Sequence, residues 1–117
     1  MDKIKLGFIG MGARGNTLLE TVFACFDEVE ITAVCDTYGD RAEDAAKLIA
    51  EKRGKRPAAY TDPGQLIADP NVNTIIISAS WEMHVPLAVQ CMQAGKVTGL
   101  EVGGAYSLDD CWQLVRT

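Results

Sequence analysis

The 117 residues suffice for one hydrophobic core and are too few for two domains of ordinary size. With 48% apolar and 23% charged residues the composition is globular, which excludes a disordered tail or linker. The 11 basic and 16 acidic residues leave a net charge of −5, the wrong sign for an electrostatic nucleic-acid binder, and the longest apolar run, around Ile75-Ile76-Ile77, is far short of a bilayer span. Neither nucleic acid nor membrane is expected as a partner.

Hydrophobic periodicity alternates between two and 3.6 along the chain. Residues 4–9 form a first strand, and Leu18, Leu19, Val22, Phe23 and Phe26 mark one face of a helix. Residues 31–35 form a second strand. Ala42, Ala45, Ala46 and Ile49 stripe a second helix, closed by Gly54 and then Pro57. A short strand over 58–60 and a short helix over 63–68 precede a fourth strand over 72–79, whose Thr74-Ile75-Ile76-Ile77 run suits a centre covered on both faces. Pro86 suits a first helical turn, so the next helix is predicted from about there to Gly95. Residues 97–102 form a fifth strand. Ser107-Leu108-Asp109-Asp110 has the form of a capping box, with Cys111, Trp112 and Val115 on one helix face and Trp112 in the core. Strand–helix alternation with short connections predicts an α/β fold: a doubly wound parallel sheet in three layers, ordered 3-2-1-4-5.

Cys25, Cys35, Cys91 and Cys111 form no Cys-x-x-Cys pair and no zinc spacing, so each reads as a small buried hydrophobe and no metal site is expected. Met1 to Lys5 lead into an apolar run too brief for a signal-peptide core. Reduced thiols without a leader point to the cytoplasm.

Gly10-Met11-Gly12-Ala13-Arg14-Gly15 matches GxGxxG directly after a strand and before a helix. Gly10 permits the turn, Gly12 lets a pyrophosphate approach the backbone, and Gly15 lets the helix pack on the sheet. Free N–H groups and the positive helix end would hold the diphosphate. Asp36 closes the second strand 21 positions after Gly15. A carboxylate there accepts the hydroxyls of an adenosine ribose and repels a 2′-phosphate, which favours NAD over NADP. Arg41, five residues on, either softens that preference or is a solvated residue at the start of a helix. Methyltransferases share the glycine loop and this acid, but Phe8-Ile9 stands where many of them carry another acid.

Ligands of such sheets sit at the carboxyl ends of the strands, where neighbouring connections diverge. The turn Ser78-Ala79-Ser80-Trp81-Glu82-Met83-His84 and Glu101 therefore border the cofactor. His84, the chain's one histidine, is either a locally satisfied helix-start residue or a group near the chemistry, and Trp81 is either core or site.

These residues together, with Ala94-Gly95-Lys96 leading to Glu101, resemble the N-terminal half of the Gfo/Idh/MocA oxidoreductases, over essentially all 117 positions. The resemblance implies a Rossmann domain followed by a larger α/β domain that supplies most of the substrate site and the oligomer interface. That second domain is expected outside residues 1–117, and with it every catalytic residue. Where the family has Glu-Lys-Pro after strand five, this chain has Glu101-Val102-Gly103-Gly104, without the lysine that lies beside the nicotinamide. The turn at Trp81 to His84 with Glu101-Val102 is closer to a branch that includes the NAD-dependent α-N-acetylgalactosaminidase-type glycosidases, in which the corresponding positions contact the cofactor. The implied cofactor-binding residues are Gly10, Met11, Gly12, Ala13, Arg14, Gly15, Asp36, Ser80, Trp81, His84, Glu101 and Val102.

Three functions compete. The first is the NAD domain of an oxidoreductase acting on the CH–OH groups of a sugar or polyol. The second is a glycosidase that uses NAD catalytically, and the third a non-enzymatic nucleotide sensor. Loss of the lysine feeds the last two. A homo-oligomer is expected.

Overall fold

The computed structural model describes residues 4–11, 17, 19, 29–78, 81–100, 112 and 115–117. These form five strands, β1 (Lys5–Ile9), β2 (Glu30–Cys35), β3 (Ala58–Tyr60), β4 (Thr74–Ile77) and β5 (Val97–Leu100). All pair in parallel, in the order β3-β2-β1-β4-β5. Interleaved with them are α1 (Gly39–Arg53), α2 (Pro63–Ile67) and α3 (Trp81–Gln93). Parallel neighbours need a crossover long enough to return the chain to the same end of the sheet, and a helix is the compact way to provide it. Thr17, Leu19, Trp112, Val115 and Arg116 are helical as well.

The alternation of side chains along each strand divides the core between the two faces. On one face Ile9, Ala33, Cys35, Ile75 and Ile77 pack against Leu66 and Ile67 of α2 and Leu87, Ala88 and Cys91 of α3. On the other, Leu6, Phe8, Ile31 and Val34 meet Ala45, Ala46 and Ile49 of α1, together with Leu19. The buried stripe of α1 is Ala42, Ala45, Ala46 and Ile49, the spacing predicted from sequence. Ile31 and Ala33 lie two apart yet face opposite sides. The pairing jumps from Leu6↔Ile31 to Gly7↔Ala33, so Thr32 is a bulged residue and the alternation flips there. Thr32 spends its hydroxyl on the Asn71 carbonyl at 2.7 Å. Gly7 leaves room for Leu66 of α2 and for Val72: a Cβ there would meet Leu66 Cδ2 at 3.0 Å and Val72 Cγ1 at 3.1 Å.

Three expectations are corrected. The helix predicted to open at Pro86 begins at Trp81, so Trp81 to His84 are helical and not a turn. Pro86 lies inside α3, where its ring removes one bond, and the burial of Val85, Leu87, Ala88 and Cys91 outweighs that loss. The fourth strand is confined to Thr74–Ile77. Trp112 is not core: it is 51% exposed, with the Arg116 guanidinium 5.3 Å from its ring centroid. The first helix beyond Leu19, the capping box at Ser107 and the end of the fifth strand at Glu101-Val102 lie outside the described residues. No helix among the described residues is long and apolar enough to cross a membrane.

Candidate functional site

β1 and β4 are neighbours whose outgoing connections diverge, which opens a crevice at their carboxyl ends. Gly10 leaves β1 at that point with φ of +93°, a conformation that a side chain disfavours. It is clamped from both sides. Its N–H donates to the Cys35 carbonyl of β2 at 2.8 Å, and its carbonyl accepts from Ser78 Oγ, just past β4, at 3.0 Å. The Ser78 N–H in turn donates to the Ile9 carbonyl at 2.9 Å.

Asp36 stands beside this turn. It is the one buried charged residue among those described, 7% exposed. Oδ2 accepts from the Met11 N–H at 2.8 Å and Oδ1 from the Tyr38 N–H at 2.9 Å. Its own N–H reaches the Tyr60 carbonyl of β3 at 3.1 Å. A carboxylate offers about four acceptor positions, so two such bonds fix its plane and leave others for further donors. This fits a ribose diol placed at the end of β2: a fixed, charged acceptor beside a glycine turn from β1.

Met11 faces inward from the loop. Its side chain is 1% exposed and packs in the core with Leu6 and Phe8, and its N–H is spent on Asp36. Met11 thus ties the glycine loop to the acid. Gly12, Ala13, Arg14 and Gly15 lie outside the described residues, as do Ser80, Glu101 and Val102. Trp81 and His84 fall in the first turn of α3, at the carboxyl end of β4. Ser78 belongs to the turn expected from sequence to border the cofactor, whereas Tyr38 was not singled out. Ser78 had one signal, a small hydroxyl residue ending the strand beside β1; Tyr38 had another, an aromatic two residues past Asp36.

Burial pushes the Cys35 thiol up to about 12, with Asp36 and Asp62 adding to the shift, and burial pushes Cys91 up to about 11. Both are held as neutral packing groups, unsuited to nucleophilic work. A separate cavity of about 410 Å³ opens at the other, amino ends of the strands between Lys5, Glu30, Lys55 and Arg56. Its cations are largely matched already, Lys55 by Glu30 at 3.1 Å and Arg56 by Glu43.

Residues 4–117 match the family model of oxidoreductases with an NAD-binding Rossmann fold. The chain belongs to the Gfo/Idh/MocA oxidoreductase family. Within it, the chain is 36% identical over 121 residues to a glycosyl hydrolase family 109 protein of Shewanella baltica, covering 100% of this chain and 26% of the relative. It is 34% identical to an alpha-N-acetylgalactosaminidase of Shewanella oneidensis over the same shares. The chain thus spans about a quarter of the length of the curated relatives it matches. Among solved structures, a probable dehydrogenase from Thermotoga maritima superposes with a TM-score of 0.80 at 29% identity, over 97% of this chain and 32% of that one. A myo-inositol dehydrogenase from Lactobacillus casei, solved with NAD(H) and myo-inositol, has a TM-score of 0.83 at 22% identity and shares the fold, over 98% of this chain and 33% of that one.

Proposed function

We propose that residues 1–117 are the dinucleotide-binding domain of a cytoplasmic, NAD-dependent enzyme that acts on a CH–OH group of a sugar or polyol. The observation that carries this reading is the fixed Asp36 carboxylate, held at 2.8 Å and 2.9 Å by two backbone amides beside the Gly10 turn. NAD, when bound, supplies a hydride acceptor. The chain's own residues bind and orient it: Gly10 to Gly15 receive the diphosphate, Asp36 the adenosine ribose, and Ser80, Trp81, His84, Glu101 and Val102 border the nicotinamide side. The fixed carboxylate disfavours a 2′-phosphate, so NAD is preferred over NADP. Substrate positioning falls to a second domain beyond these residues, and that domain also supplies the surface through which the protein assembles as a homo-oligomer.

The similarity to glycosyl hydrolase family 109 proteins and to an alpha-N-acetylgalactosaminidase supports a second reading, a glycosidase. In that reading the sugar hydroxyl is oxidised only transiently and the aglycone leaves. Val102 in place of the family lysine fits that reading as well. Product analysis of the whole enzyme with candidate sugars and glycosides separates the two. Net NADH with an oxidised sugar supports the oxidoreductase. Free sugar without net NADH, lost when NAD is removed, supports the glycosidase.

A further inference from the structure

Ser78 is the first residue past β4, whose last residue, Ile77, pairs with Ile9 of β1. Its N–H continues the sheet by donating to the Ile9 carbonyl at 2.9 Å, a bond that any residue but proline could make. Its side chain makes a bond that the ladder does not require: Oγ donates to the Gly10 carbonyl at 3.0 Å, across 68 residues. The other end of the same peptide unit is held too, since the Met11 N–H donates to Asp36 Oδ2 at 2.8 Å. The Gly10–Met11 peptide is thus gripped at its oxygen from the β4 side and at its hydrogen from the β2 side. Glycine has backbone freedom that no other residue has, so the peptide leaving Gly10, at φ of +93°, needs such bonds to hold one orientation. A planar unit bonded at both ends, in opposite directions, cannot turn over without breaking both bonds.

We propose that Ser78 is a positioning residue for the dinucleotide: its hydroxyl fixes the Gly10–Met11 peptide and so aims the loop that receives the diphosphate. The proposal rests on the NAD reading of the site and adds a residue that works on the loop, not on the ligand. A serine hydroxyl has one proton, and here the Gly10 carbonyl takes it, so Ser78 has no donor left for a phosphate oxygen, which only accepts. Its effect on binding comes through preorganisation, because a loop already in one orientation loses less freedom when a ligand arrives. Asp36 grips the same peptide but is also the assigned ribose acceptor, whereas Ser78 can be altered with that acceptor left in place.

Calorimetric titration with NAD, hydrogen exchange over residues 8–11 of the ligand-free protein, and urea unfolding test this in the unmodified protein and in S78A, S78T and S78C. S78A is expected to weaken NAD by about three- to tenfold, the scale of one hydrogen bond, and to quicken exchange over residues 8–11 more than in α1. S78T keeps the hydroxyl and should match the unmodified protein in both measurements. S78C, a weaker donor, should fall between, and it takes the place of S78A if that variant proves unfolded in the urea series. If the unmodified protein binds NAD and S78A matches it, Ser78 does not position the ligand, while the NAD reading stands. If S78A loses affinity with exchange unchanged, Ser78 acts on the ligand directly and positioning through the loop is refuted. If S78T binds as weakly as S78A, the hydroxyl is not the operative group and the proposal fails. If the unmodified protein does not bind NAD, the NAD reading falls and this proposal with it.

Discussion

Asp36 and Met11 are 25 residues apart in sequence and share a buried hydrogen bond of 2.8 Å, from the Met11 amide to Asp36 Oδ2. The bond ties the end of β2 to the loop leaving β1, so the acid and the glycine turn are one unit. Replacing Asp36 with Ala therefore does two separable things. It removes the acceptor shared by the Met11 and Tyr38 amides, costing about 1–3 kcal/mol of stability by urea unfolding. It also removes the ribose acceptor, so NAD binding should weaken and the gap to NADP should narrow. Asp36→Asn, which retains one carbonyl oxygen, should fall between the two in both measurements.

Gly7 is expected to tolerate no side chain. Its missing Cβ would lie 3.0 Å from Leu66 Cδ2 and 3.1 Å from Val72 Cγ1. Gly7→Ala should cost about 1–3 kcal/mol through overpacking between β1 and α2, read from the urea midpoint. Shortening the opposing side chain with Leu66→Val should return part of that loss, so the double mutant should be less unstable than the two single changes added together.

Lys96 links the start of β5 to the loop before β4. Its Nζ donates to the Asp69 carbonyl at 3.0 Å and to that of Val72. Lys96→Met keeps the apolar stem and removes the donors, and should destabilise by about 1–2 kcal/mol in chemical denaturation. An unchanged midpoint would show that water replaces the ammonium at no cost.

The two buried thiols set an alkaline limit. Burial raises Cys35 from the ordinary 9.0 to about 12, and Cys91 from 9.0 to about 11. The folded state thus holds these protons after the unfolded chain has released them. Their contribution is whole below pH 9 and drains away as the pH rises toward 11 and then 12, by about 1.4 kcal/mol per thiol for each pH unit crossed. The melting temperature should fall across that window, and the Cys35→Ala/Cys91→Ala double variant should show a shallower decline.

Much of this was legible in the sequence because period and turn chemistry agree locally. The stripe Ala42, Ala45, Ala46 and Ile49 and the strand at Ala58–Tyr60 follow from spacing, and the 3-2-1-4-5 order follows from strand–helix alternation. Legibility failed where tertiary burial overrode a local rule. Pro86 reads as a helix opening, yet packing of Val85 and Leu87 carries α3 through it from Trp81. Trp112 reads as core by its size, yet Arg116 and solvent cover it. In the site, the acid at position 36 was readable from its distance to the glycine loop. Capture of the Met11 amide by that acid was not, because a bond across 25 residues leaves no trace in local pattern.

The central claim, a site shaped for NAD at the carboxyl ends of β1, β2 and β4, is tested most directly by titrating the unmodified protein with NAD and NADP in a calorimeter at matched ionic strength. Saturable binding of NAD and weaker binding of NADP are expected, with the difference narrowed in Asp36→Ala. NADP bound more tightly than NAD, or neither bound at millimolar concentration, would contradict it.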